Sequence, residues 1–442
     1  MRTDEMRDTG LLAGRALDEV ADVVCGVHGA IARRLFDLAG DRVAPIRAVH
    51  DGIAALAYGG TKLGVKYLPP AVGLVAGAFQ EPGAPSAHDD PKGRFLLGVI
   101  NGFWGDRIVT KQAAIAPEMR MRLGHGPLRR IPSNLAHDAD ERTTGRVVVF
   151  VHGLCETDRY WSYAAERQWG DPRATYGSKL SEDDGWTPIF VNFNTGLHIS
   201  DNGRELAEQL EQLVAAWPVP VTEIAIVGHS LGGLVARSAA HHADELGHRW
   251  RHQLRHIVGL GTPHLGAPLE RFANWGTHRL ARLPETRPIA TWLGRRSAGI
   301  KDLRHGSLLE ADWLDVDPDD PADHCTPATL LPGVAYSMVS ATLSHGTEGL
   351  FAMDLLVQHG SAHGVGAARS IPFEPDRSHH IGGRKHHFDL LADPTVYAKL
   401  REWLNGADGA GRSAEDTDRT RRINETTHRT SRRKMRKERR AG

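Results

Sequence analysis

The stretch EIAIVGHSLGGLVAR, residues 223–237, reads as a strand, a sharp turn and a helix. Residues 223–227 are a short β-branched, apolar run, long enough for one buried strand. Gly228-His229-Ser230-Leu231-Gly232 fits G-x-S-x-G, and residues 234–240 read as a helix. Strand, glycine-flanked serine and helix are the context a nucleophile elbow requires, with the serine Oγ pushed out of the sheet on a strained turn. Glycines two residues either side of Ser230 let the strand and helix backbones approach with no Cβ between them. The turn also sets Ser230 at a helix N-terminus, where N–H groups favour developing negative charge. Ser230 is therefore the candidate nucleophile, and Gly228, His229 and Gly232 are its elbow.

Working outward, residues 146–151, RVVVFV, give the strongest strand signal in the chain and run into His152-Gly153-Leu154. A strand ending in His-Gly upstream of the elbow supplies a second oxyanion donor. That pairs the N–H of Leu154 with the N–H of Leu231, the residue after the serine. Residues 187–193, TPIFVNF, read as another buried strand, 202–214 as an amphipathic helix, and 257–261 as the next strand. Strand and helix in alternation predict a parallel, doubly wound sheet.

HGL at 152–154, FVNFNTGLHISDNGRELAEQL at 190–210, VGHSLGGLVAR at 227–237 and GLGTPHLGAPLE at 259–270 together resemble the α/β-hydrolase superfamily. More closely, they resemble bacterial lipase- and esterase-like proteins related to the GPI-inositol deacylase catalytic domain. The resemblance spans about 146–404. It implies an α/β-hydrolase fold, a cap or lid insertion, and a triad in the chain order nucleophile, acid, histidine. After the strand expected at 334–341, the segment MDLLVQHGSA at 353–362 resembles the family's acid turn and points to Asp354, with Gln358 where the family often has proline. Glu348 competes for that role, whereas the acidic loop holding Asp315, Asp317, Asp319, Asp320 and Asp323 reads as solvated. The family's histidine directly precedes a run like Phe388-Asp389-Leu390-Leu391, which selects His387; His386 is its neighbouring alternative, followed by His379 and His380. Asp393 and Pro394 suit the cap and first turn of a last helix.

The implied activity is hydrolysis of a small ester or lipid through an acyl-enzyme, with no metal or organic cofactor. Two alternatives stand beside it. An acyltransferase would use the same triad with an alcohol in place of water. A surface- or lipid-associated interaction protein would keep the fold without the chemistry.

The chain has 442 residues, 40% hydrophobic and 24% charged, with a formal net charge of zero. That balance implies no partner through global charge. The expected organisation is a helical N-terminal appendage and linker over 1–90, a helical and looped connection over 91–145, a catalytic domain over 146–404, and a disordered basic tail over 405–442. In the appendage, Leu17, Val20, Val24, Val27, Ile31, Leu35 and Leu38 recur at helical spacing, and Pro45 starts a second helix through Ile46, Val49, Ile53 and Leu56. Such a face packs on the catalytic domain, on a second subunit, or on a lipid surface. In the connection, 95–104 and 107–121 read as helical. Within the catalytic domain, 270–323 carries Trp275, Trp292, Leu308, Leu309 and Trp313 and is the candidate lid. The tail holds eleven Lys or Arg against two Glu between 419 and 440, enough for weak anionic contacts but with no signature of specific nucleic-acid recognition.

Cys25, Cys155 and Cys325 are far apart and predict reduced thiols rather than a disulfide framework. Despite 25 histidines, no H-E-x-x-H or Cys/His finger spacing predicts a metal site. The charged start MRTDEMRDTG does not read as a secretory signal, and no run of about 18 apolar residues occurs. A cytoplasmic protein, able to sit peripherally on a lipid surface, is the expectation.

Overall fold

The computed structural model describes residues 1–80, 86–87, 90–109, 114–129, 142–267, 270, 277, 279–341, 359–366, 369–382, 385 and 387–406. Met1–Tyr397 forms one compact unit. Of the second, Ala398–Gly442, residues 398–406 are described; they continue the last helix, where Lys399 Nζ donates to Glu402 Oε1 at 2.7 Å.

The strands are β1 (Arg120–Leu123), β2 (Arg146–Val151), β3 (Thr187–Asn192), β4 (Glu223–His229), β5 (Leu254–Leu260), β6 (Ala335–Ala341) and β7 (Ser378–Ile381). They form one sheet in the order β1-β3-β2-β4-β5-β6-β7. Only β1 runs antiparallel, against β3. The other neighbours are parallel, as the α/β-hydrolase resemblance implies. The helices are α1 (Thr3–Ala39), α2 (Ala44–Ala78), α3 (Pro91–Ile108), α4 (Tyr176–Asp184), α5 (Ile199–Ala216), α6 (Leu231–Glu245), α7 (Arg287–Leu293) and α8 (Pro394–Asn405), with single turns between them.

Every residue of β3 and β4 is buried, and all of β2 except Arg146 is at least nine-tenths buried. Parallel strands covered on both faces need near-continuous apolar sequence, which is why these three were legible as unbroken runs. Their side chains pack with Leu206, Leu210 and Leu213 of α5 and with Leu234, Val235 and Ala239 of α6. Each fully buried leucine or valine contributes about 1.5–3 kcal/mol relative to exposure, so this layer fixes where the end of β4 stands.

Two expectations change. Residues 107–121 are not one helix: α3 ends at Ile108, and 120–123 add to the sheet edge as β1. Pro117 lacks a backbone N–H and halts helix growth, and the guanidinium of Arg122 turns inward to a buried ion pair with Asp158 instead of facing water. The expected stripe on α1 also does not pack inward. Leu17, Val20, Val24, Ile31, Leu35 and Leu38 are all exposed. The hairpin of α1 and α2 closes through small residues instead: a Cβ on Gly10 would stand 2.6 Å from Pro69 O and 3.1 Å from Gly73 Cα. Pro69 and Pro70 lie inside α2. Among the described residues no helix is long and apolar enough to cross a membrane.

The expected linker is tied down where it is described. Glu5 of α1 is buried; it accepts from Ala87 N at 2.8 Å and from Ser86 Oγ. Asp90 caps α3 by accepting from Gly93 N at 2.7 Å. The candidate lid divides. Its later half is core: Leu303, Leu308 and Leu309 are buried, and Ser238 Oγ of α6 donates to Leu308 O at 2.7 Å. Asp302 receives Ile199 N at 2.8 Å, and Trp313 stacks on His198 at 3.7 Å. The earlier half meets the hairpin, with Arg34 paired to Glu285 at 2.7 Å and Pro288 of α7 against Gly26. Among the described residues, Leu303, Leu308 and Leu309 therefore belong to the core rather than to a cap.

Candidate functional site

The site is built on the carboxyl end of β4. Ser230 has φ 52° and ψ −123°, a conformation costly for any residue with a Cβ, and it immediately precedes α6. Two bonds hold it there: Ser230 N donates to Leu260 O at 2.8 Å, and Gly233 N donates to Ser230 O at 3.1 Å. The flanking glycines are steric necessities. A Cβ on Gly228 would lie 2.5 Å from Gly232 C and Gly233 Cα, and one on Gly232 would lie 2.6 Å from His152 O. Ser230 itself remains half-buried.

The turn after β2 abuts the serine. A Cβ on Gly153 would stand 3.0 Å from Ser230 Cβ. His152 is buried, stacked on Phe193 at 4.4 Å, and held neutral because burial pushes its pKa below the usual value. Its Nε2 receives Phe193 N at 3.4 Å. Among the described residues, the backbone N–H groups of Leu154 and Leu231 have no hydrogen-bond partner.

His387 opens a 3-10 turn, His387–Leu391, and is 3% exposed. Its ring lies over Gly261, where a Cβ would meet His387 Cε1 at 2.8 Å and Nδ1 at 2.9 Å. Gly261 follows Leu260, whose carbonyl holds Ser230 N, so the His387 ring and Ser230 lie against the same Leu260–Gly261 step. Gly261 has φ +60°, which suits a residue without a Cβ at this crowded point. Tyr176 of α4 anchors the histidine segment from below, donating to Leu390 O at 2.9 Å. Asp393 accepts from Thr395 N at 2.8 Å, the cap expected for α8.

The remaining candidates fall differently. Asp354, its competitor Glu348, and His386 lie outside the described residues, as does the basic tail beyond 406. His379 and His380 lie in β7, three strands from β4, and His380 Nδ1 is 2.9 Å from Ser340 Oγ. Cys155 packs against Gly102 of α3, and burial pushes its thiol up to about 12, leaving it un-ionised. No group of three or more metal-ligating side chains occurs among the described residues.

Sequence reasoning missed Glu156. Its buried carboxylate accepts from Gly153 N at 2.7 Å through Oε2 and stands 2.7 Å from His229 Nδ1 through Oε1. His229, 0% exposed, is the elbow residue before Ser230, and its Nε2 is 3.2 Å from the carbonyl of His387. An acid two residues past Leu154 was the only signal, and nothing in the sequence connects it to His229.

Residues 142–291, about a third of the chain, match the model of the PGAP1-like alpha/beta domain family. A triacylglycerol lipase of Burkholderia plantarii is 28% identical over 171 residues, covering 38% of this chain and 43% of the lipase. The match thus spans less than half the length of that curated relative. Among solved structures, the mature lipase BlEst2 of Bacillus licheniformis is similar at 19% identity, covering 64% of this chain and 97% of that one, with a TM-score of 0.37. Esterase B of Lactobacillus rhamnosis is similar at 13% identity, covering 71% of this chain and 94% of that one, with a TM-score of 0.38. At these scores the likenesses add nothing to what the strand order already shows.

Proposed function

We propose that this chain is a serine hydrolase of carboxylic esters, lipase- or esterase-like, with Ser230 as nucleophile and His387 as general base. The observation that carries the reading is the convergence at the end of β4. A strained, half-buried serine abuts the turn at Gly153, which offers a free N–H at Leu154, and the His387 ring lies over Gly261, next to the Leu260 carbonyl that holds Ser230 N. The likeness to a triacylglycerol lipase over 171 residues supports the same class.

In this reading His387 takes the proton from Ser230 Oγ as it attacks the ester carbonyl. Asp354 holds the imidazole tautomer and stabilises the imidazolium. The N–H groups of Leu154 and Leu231 receive the oxyanion, each contributing about 3–4 kcal/mol in the transition state. The alcohol leaves with the proton from His387, and water then cleaves the acyl-enzyme by the reverse sequence. An alcohol in place of water would make the chain an acyltransferase, which product analysis with added alcohol distinguishes. The test is hydrolysis of p-nitrophenyl esters of increasing acyl length. Turnover by the wild type that is abolished in Ser230→Ala supports the reading; equal turnover by both refutes it.

A second reading is favoured by the hairpin. Val49, Ile53, Leu56, Leu63 and Tyr67 fall on one side of α2 at helical spacing and stand 58–80% exposed, an apolar face far beyond scattered surface residues. Peripheral attachment to a lipid surface would cover it. Co-sedimentation of the full chain with phosphatidylcholine vesicles, lost in a Leu56→Glu/Leu63→Glu variant, supports that role; no binding by the wild type refutes it.

A further inference from the structure

We infer that Glu156 and His229 form a buried carboxylate–imidazolium pair that positions the turn after β2 and the His387 segment against Ser230; its catalytic consequence rests on the hydrolase reading above. The pair touches all three parts of the site. Glu156 Oε2 receives Gly153 N at 2.7 Å, and Glu156 N donates back to Gly153 O at 3.2 Å, folding the turn around its own carboxylate. Glu156 Oε1 meets His229 Nδ1 at 2.7 Å. His229 Nε2 faces His387 O at 3.2 Å. One carboxylate thereby links the loop facing the serine, the residue before the serine, and the backbone of the histidine.

The protonation state follows from the partners. A carbonyl oxygen only accepts, so His229 Nε2 carries a hydrogen. A carboxylate oxygen at 2.7 Å would repel a bare ring lone pair, so Nδ1 carries one too. The approach at Nδ1 is oblique to the N–H direction, so charge attraction rather than a straight hydrogen bond holds that contact. Burial pushes the Glu156 carboxyl up, but the charge of His229 and the bond from Gly153 outweigh it and leave it below the usual carboxylate range. The nearest other titratable ring is that of His387, 4.6 Å from the His229 ring. His152 is held down by burial, and Cys155 and Tyr160 are each pushed up to about 12 by burial. Asp158 is taken by Arg122. His229 is therefore the counter-charge that keeps Glu156 ionised, and the pair is enclosed by Trp161 and Phe388, whose rings lie 6.5 and 6.0 Å from the imidazole.

A pair of this kind acts through other residues, so both members are positioning residues. Losing the charge on Glu156 frees a proton from His229, loosens the Gly153 turn, and lets the His387 carbonyl drift. Ground-state binding of a small ester is untouched, whereas alignment in the transition state is not.

The test has two arms on the full chain. In the first, selective ¹⁵N-histidine labelling reports the ring of His229, assigned by its absence in His229→Gln. Two ring protons at pH 8 in the wild type, reduced to one in Glu156→Gln, are expected; a single-proton tautomer in the wild type overturns the pair. In the second, Glu156→Gln lowers kcat for a p-nitrophenyl ester at least tenfold with KM within twofold, and His229→Gln does the same without adding to it. Unchanged kcat in folded Glu156→Gln, or a loss in KM alone, overturns the positioning role. Should Glu156→Gln not fold, His229→Gln carries the second arm by itself, with the same outcomes. Absence of wild-type turnover would count against the hydrolase reading, and the pair would then be judged by its ring protons alone.

Discussion

Replacing Gly232 by alanine puts one methyl group between α6 and the end of β2. Its Cβ would stand 2.6 Å from His152 O and closer still to Val151 O. A non-bonded carbon and its neighbour rest at roughly 3.5 Å, so the start of α6 must retreat by about 1 Å. Neither obstacle can swing aside, since both are backbone carbonyls and Val151 is locked in register between Val191 and Gly228. Overpacking of this kind costs about 1–3 kcal/mol, a fall in Tm of roughly 1–3 °C for a chain of this size. The same 1 Å moves Ser230 and the N–H of Leu231 away from the turn at Gly153, and a misplacement of that order costs about 100-fold in rate. The assay pairs a thermal melt with the rate of fluorophosphonate labelling. A Gly232→Ala protein with wild-type melt and wild-type labelling would refute the close approach on which the elbow depends.

Gly60→Ala is the matching control, because a Cβ there meets nothing within 4 Å; helix α2 should gain about 0.5–1 kcal/mol, read as a higher urea midpoint, and a loss of stability would contradict the exposed placement. Asp158→Ala strands the Arg122 guanidinium, whose side chain is 2% exposed, and should cost about 3–5 kcal/mol in urea unfolding, with much of it recovered in Arg122→Leu/Asp158→Ala. A loss under 1 kcal/mol in the single variant would sink that reading. Burial pushes the Glu5 carboxyl up, but bonds from Ser86, Ala87 and Arg2 bring it below its ordinary value. A depressed carboxyl stabilises the fold above its unfolded pKa of about 4.3 and loses that contribution as pH falls through the folded value. Protection of the Ala87 N–H against exchange, taken relative to the intrinsic rate, should therefore fade on acidification below about pH 4; protection unchanged down to about pH 3 would contradict it.

What the sequence reveals depends on where each constraint comes from. Strands β2, β3 and β4 are buried on both faces, so their apolar runs are unbroken and read directly. The elbow is equally legible, because a strained serine between close backbones demands glycines at fixed offsets. Strand β1 is hidden because alternate Arg residues suggest one wet face, whereas Arg122 finds its partner in Asp158, 36 residues away. Strand β7, Ser378–Ile381, carries two histidines and no apolar run. The stripe on α1 has the expected helical period but does not close the hairpin, which packs on Gly10, Gly14, Gly73 and Gly77 instead. Glu156 is the sharpest case: its carboxylate matters only through Gly153, which is local, and His229, which the fold brings from 73 residues away. The sequence also splits the segment 270–323 nowhere, although its later half belongs to the core through Leu303, Leu308 and Leu309.

The most direct test of the central claim is fluorophosphonate labelling of the full chain, followed by peptide mapping, in the wild type, Ser230→Ala and His387→Ala. An activated serine beside its base predicts a single modified peptide carrying Ser230, with labelling abolished in the first variant and strongly slowed in the second. A folded wild type that takes no label, or takes it at a residue other than Ser230, would contradict the hydrolase account.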